Sequence, residues 1–129
     1  MLFHSFCTQE ERRKFGGSAF LEFQFCRLPQ DTKIKKIVSV DQIVNWQNDS
    51  LYVADENLFY QIYGSFFDDG IYNNLKSGPV DLYGINYFTP AATARIMDKI
   101  RTEQPMNHEI LTGWLDNARR YNGFYILGI

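Results

Sequence analysis

"TPAATARIMDKIRTEQPMNHEILTGWLDNARRYNGFYILGI", residues 89–129, decides how this chain is read. Thr89 followed by Pro90 is an N-cap with proline at the first helical position. Ala92, Ile96 and Ile100 then recur every four residues, and Pro105 stops the helix. A second helix opens near Asn107 and sets Ile110, Leu111, Trp114, Leu115 and Ala118 along one stripe. Arg119 and Arg120 fall in its last turn, where the helix dipole favours cations, and Gly123 suits a left-handed cap. The closing "FYILGI" has no polar side, so it reads as a strand paired on both edges and covered on both faces.

Working back towards the N-terminus, "PVDLYGINYF" is a further strand. "SLYVADENLFYQIYGSFF" holds two β-rich stretches divided by Asp55-Glu56-Asn57, a turn-forming cluster that predicts a hairpin. "KIKKIVSVDQIVNWQ" reads as a short strand through Ile34, Lys36 and Val38 running into a short helix near Ser39–Gln47. In "SAFLEFQFCRL", Leu21, Phe23 and Phe25 alternate with Glu22, Gln24 and Cys26, which is a strand pattern. Thr8 and Glu11 have capping-box spacing for a helix to about Phe15, ended by Gly16-Gly17. The expected architecture is α+β: one globular domain over residues 1–129, a mainly antiparallel sheet with two C-terminal helices packed on it and a terminal apolar strand.

Length and composition agree with that class. The 129 residues suit one core, and 16% aromatic residues supply it amply, which argues against disorder. No apolar run reaches the roughly 18 residues of a membrane span, and "MLFHSFCTQEERR" lacks the basic leader of a secretory signal. Cys7 and Cys26 match no zinc or redox spacing and read as buried free thiols of a reducing cytosol.

Chemistry-bearing patterns are sparse. His4 and His108 are the residues a small hydrolase or ribonuclease-like enzyme would use as an acid–base pair. His108 falls in a first helical turn that commonly faces solvent, and His4 in "LFHSF" reads as a strand residue. Asp68-Asp69-Gly70 lacks the alternating oxygen ligands of a calcium loop, and adjacent strand acids point to opposite faces. Gly16-Gly17 is not followed by a phosphate-loop motif, and no nucleophile elbow occurs. The last helix carries Glu109 and Asp116 where a DNA-reading helix would carry bases. The expectation is a protein without catalytic residues, cofactor or metal, binding neither nucleic acid nor membrane.

Charge supplies the positive signal. Net charge is −2, yet residues 1–40 carry +3, residues 41–81 carry −6 and residues 82–129 carry +1. No base occurs from Ile37 to Leu75, and residues 41–88 hold 11 of the 21 aromatics. Phe59, Phe66 and Phe88 suit the core, whereas tyrosines tolerate a wet rim and are enriched at binding hot spots. An acidic, tyrosine-bearing surface attracts a basic protein and slows its release. Asp68, Asp69 and Tyr72 are the foremost contact residues on this reading, followed by Asp49, Asp55 and Glu56.

The acidic middle, "SGPVDLYGINYFTP" and the tail "WLDNARRYNGFYILGI" resemble the immunity proteins of bacterial contact-dependent growth inhibition and related polymorphic toxin systems. The resemblance implies a cytoplasmic inhibitor that binds one cognate toxin C-terminal domain, often a nuclease, and blocks its active site. It also implies no catalysis and no cofactor. A small enzyme using His4 or His108, or a non-catalytic oligomeric interaction domain, are the competing expectations.

Overall fold

In a computed structural model that describes residues 1–16, 20–44 and 46–128, seven strands form one antiparallel sheet. In chain order they are β1 (Phe3–His4), β2 (Leu21–Phe25), β3 (Leu51–Val53), β4 (Gly70–Ile71), β5 (Ser77–Gly78), β6 (Ile85–Phe88) and β7 (Phe124–Gly128). Their spatial order is β1-β3-β2-β7-β6-β4-β5. Among the described residues five α-helices accompany them: α1 (Gln9–Gly16), α2 (Ile34–Ile37), α3 (Glu56–Tyr63), α4 (Pro90–Glu103) and α5 (His108–Ala118). The α+β class, the two C-terminal helices and the terminal strand are as the sequence reading has them. Gly17, expected to end α1, and Ile129, the last residue of the expected strand, lie outside the described residues.

The strand β7 is flanked by β2 and β6, with Phe23 opposite Ile126 and Phe88 opposite Phe124. Alternation therefore sends Phe23, Phe25, Phe124 and Ile126 to one face and Glu22, Gln24, Tyr125 and Leu127 to the other. The first face carries the main core, where Phe59 and Tyr63 of α3, Ile96 and Ile100 of α4 and Leu111 and Leu115 of α5 close over it. The second face is also buried. Ile37 and Val38 cover Cys26, Tyr87, Tyr125 and Leu127, and Phe6, Phe20 and Tyr52 form a smaller cluster backed by Trp46.

The caps explain where helices start. Thr89 accepts from the Ala92 N–H at 3.1 Å, and the Thr8 hydroxyl accepts from the Glu11 N–H at 3.1 Å. Gln104 closes α4 in the left-handed region, φ 50°. Gly123 has φ 75° as expected, but it does not cap α5, which ends at Ala118. It instead turns the chain into β7, where a Cβ would strike the Phe88 carbonyl.

Three expected elements are corrected. The hairpin over residues 50–67 is a strand followed by α3, because Asp55 caps a helix: its Oδ1 accepts from the Leu58 N–H at 3.0 Å. Residues 34–38 form no strand; α2 and a 3-10 turn at Val40–Gln42 carry that segment across the second face. The strand in "PVDLYGINYF" is limited to Ile85–Phe88, since residues 80–84 form a turn. Of the two free thiols, Cys26 is buried as expected whereas Cys7 is exposed.

Candidate functional site

The six acidic and aromatic residues singled out by sequence fall into two groups. Asp49 precedes β3, and Asp55 and Glu56 follow it. Asp68 and Asp69 precede β4, and Tyr72 follows it. Strands β3 and β4 are four places apart in the sheet. At strand spacing of 4.7–4.9 Å that is roughly 19 Å, so the two groups do not share one small patch.

The β3 group is largely committed to the fold. Asp49 pairs with Arg27, and its backbone carbonyl accepts from Trp114 Nε1 at 2.9 Å. Asp55 is spent as the α3 cap, and Glu56 lies half-buried in the first turn of that helix. An anion in a first turn is stabilised by the dipole of its own helix.

The β4 group is more open. Asp69 pairs with Arg95 of α4, while Asp68 is exposed and has no cationic group within 4 Å among the described residues. The Tyr72 hydroxyl donates to the Pro79 carbonyl, which fixes the ring across the β4–β5 turn. Partial burial pushes the Tyr72 pKa up, and the Asp81 charge and Tyr60 hydroxyl push it the same way. Asp81 follows two positions after Pro79, the residue that Tyr72 bonds, and Tyr60 is exposed on α3. The β4–β5 hairpin and the turn before β6 thus present an acid–tyrosine edge of Asp68, Tyr72 and Asp81.

Two exposed residues extend this edge that charge and spacing did not single out. Tyr83 is 80% exposed and Val40 67%. Tyr83 sits on a turn held by Asn86, which is fully buried. The Asn86 amide accepts from the Asp81 N–H at 2.8 Å and donates to the Asp81 and Ile126 carbonyls at 2.9 Å each. The Asp81 carboxylate also accepts from the Tyr83 N–H at 2.9 Å. The signal for Tyr83 was the Asp-x-x-Gly run in "DLYG", which is turn chemistry rather than strand chemistry.

The histidines line separate hollows. His4 is a β1 residue, as expected, and lies 4.4 Å from the Phe15 ring in a hollow shared with Glu11 and Ile110. Burial lowers its pKa, the N-terminal ammonium lowers it further, and a hydrogen bond with the Met1 backbone opposes them. His108 is half-buried rather than solvent-facing. Its Nδ1 lies 3.1 Å from the Pro105 carbonyl and its Nε2 3.4 Å from a Glu109 oxygen, in an open groove with Arg101 and Asp116.

Among the described residues no group of three or more His, Cys, Asp or Glu side chains is arranged to hold a metal ion. No helix among the described residues is long and apolar enough to cross a membrane. Comparison with protein-family models, with curated proteins and with solved structures gives no match for this chain.

Proposed function

We propose that this chain is an immunity protein: a non-catalytic inhibitor that binds one cognate, basic toxin domain and covers its active site. On this reading it acts in the cytoplasm of a bacterium that deploys contact-dependent growth inhibition, and the toxin is a nuclease. The binding surface is the acid–tyrosine edge around β4 and β5, with Asp68 and Tyr72 at its centre. Asp69 contributes to the field while holding Arg95.

The observation that carries the reading is that Asp68, Tyr72 and Asp81 flank the paired strands β4 and β5, and neither carboxylate has a cationic partner within 4 Å among the described residues. Unpaired surface carboxylates accelerate encounter with a cationic protein, and fixed aromatic rings slow release. A specific contact needs roughly 800 Å² from each partner. The hairpin, the Tyr83 turn and the exposed side of α3 can supply that area. The β3 acids are weaker contributors, because Asp49 and Asp55 already serve the fold.

The test uses the C-terminal domain encoded by the reading frame immediately upstream. The two proteins are mixed and followed by size-exclusion chromatography with light scattering, together with the domain's nuclease activity. A heterocomplex of fixed ratio and loss of that activity are expected. Separate elution with full activity retained would overturn the proposal.

A further inference from the structure

Beside the acid–tyrosine edge, the second face of the sheet opens into a hollow of about 350 Å³. Its floor is Ile85 and Leu127, which stand directly opposite each other in the β6–β7 register. Val40 and Ile43, from the 3-10 turn and the residue after it, form one wall, and Tyr83 forms the other. Asn73 stands at the rim, with its side-chain amide donating to the Val38 carbonyl at 3.0 Å.

Three properties mark this hollow. Its lining is dominated by aliphatic and aromatic side chains and contains no charged residue, whereas those at His108 and at Ala94–Arg119 contain acids and arginines. Its walls are fixed before any partner arrives. Asn86 holds the Tyr83 turn, Asn73 holds the covering segment, and the Gly128 N–H donates to the Gly84 carbonyl at 2.9 Å. Large apolar groups nonetheless stay in water at its mouth, namely Val40 and Tyr83. An exposed aromatic on a backbone turn held in place, beside a preformed apolar hollow, suits a hot spot, because little backbone ordering entropy is lost on binding.

Charge specifies the occupant. Asp41 follows Val40, and Asp81 lies so close to Gly84 that a Cβ there would meet its Oδ2 at 2.6 Å. Both acids are exposed, and neither has a cationic group within 4 Å among the described residues. We infer that this hollow is an anchor pocket for a protein segment in which an aliphatic or aromatic side chain is flanked by lysine or arginine. The side chain would fill the space over Ile85 and Leu127, and its basic neighbours would face Asp41 and Asp81. This inference rests on the immunity reading and adds the chemistry of the toxin segment that is gripped.

The test is an NMR titration of the ¹⁵N-labelled full chain with the capped tripeptide acetyl-Lys-Leu-Lys-amide. Acetyl-Glu-Leu-Glu-amide and acetyl-Lys-Gly-Lys-amide serve as controls. Saturable amide shifts confined to Val40, Ile43, Asn73, Gly84, Ile85 and Leu127 are expected. Two surface charge contacts of ordinary strength make the basic peptide about fivefold tighter than the acidic one. Loss of the leucine should abolish saturation, and so should Tyr83→Ala combined with Val40→Asp, two exposed changes that leave the core alone. Absent shifts at these amides, or equal shifts with both controls, would overturn the inference. The upstream domain separates the two proposals. If it binds wild type and the double variant equally, the pocket is excluded while the immunity reading stands. If it binds neither but the tripeptide is held as described, the pocket stands and its role in immunity falls.

Discussion

The two faces of the sheet are both covered, yet they are closed by different physics. On the first face Phe23 meets Phe3, Phe59, Phe67, Trp114 and Phe124, with ring centroids 5.7–6.2 Å apart. On the second face Glu22, only 2% exposed, accepts from Gln24 Nε2 at 2.9 Å, the Trp46 N–H at 2.9 Å and the Ser50 hydroxyl at 2.7 Å. There too Tyr87 donates to the Asn122 carbonyl and Tyr125 to the Ile37 carbonyl, both at 2.7 Å. Apolar area stabilises the first face without specifying a unique covering element. Directional bonds on the second face pin one particular segment, residues 34–44 and 46–50, in place. That segment carries Val40 and Asp41 to the proposed anchor pocket, so the polar face is the one that builds the site.

The contrast can be broken most forcefully from the aromatic side. Phe23→Ala should cost about 4 kcal/mol of unfolding free energy through lost burial and a residual cavity. Urea denaturation would show this as a fall in midpoint. A change below about 1 kcal/mol would mean that the ring layer repacks freely. Next in size, Glu22→Ala removes the acceptor shared by two buried donors and the part-buried Trp46 N–H and should cost about 3 kcal/mol. Hydrogen exchange should then quicken at Trp46, while Phe124 and Ile126 stay protected. If strand and segment lost protection together, the two faces would not be independent.

A pH experiment sharpens the comparison further. Burial, followed by the Glu109 charge, pushes the Tyr63 pKa up to about 12 from an ordinary 10. The neutral phenol, donating to the Met106 carbonyl at 2.6 Å, is therefore the form that the fold favours. Its contribution is fully present below pH 10 and is lost as pH rises from 10 to about 12. The loss should approach about 2 kcal/mol for this group. Burial raises the pKa values of Tyr52, Tyr87 and Tyr125 as well, so alkaline destabilisation continues beyond it. Stability curves of wild type and Tyr63→Phe should converge over that window; parallel curves would refute the assignment. The smallest effect is reserved for the surface: Arg95→Ala should change stability by less than about 1 kcal/mol, because its pair with Asp69 is solvent-exposed.

These differences explain what could be read from sequence. Helices α4 and α5 and strand β7 were legible because Thr89-Pro90, the spacing from Ala92 to Ile100 and the all-apolar tail are local signals of burial. Asp55-Glu56-Asn57 was read as a turn because an aspartate that caps a helix and one that opens a turn use the same short side chain. Residues 34–44, 46 and 47 were misread because their conformation is set by what they cover, Tyr87, Tyr125 and the Glu22 carboxylate, and not by their own periodicity. The acidic excess of residues 41–81 was visible, but its partial neutralisation was not. Arg27 and Arg95 reach Asp49 and Asp69 across 22 and 26 positions, a tertiary fact that linear charge counting cannot contain.

The most direct test of the acid–tyrosine edge is the association rate of the upstream-encoded toxin domain, measured by surface plasmon resonance across a salt series. Wild type should lose association rate steeply as salt rises. Asp68→Lys combined with Asp81→Lys should slow association about tenfold at low salt and flatten the dependence. Tyr72→Ala should act chiefly by speeding dissociation. An association rate indifferent to salt, and unaltered by both lysine substitutions, would contradict the account.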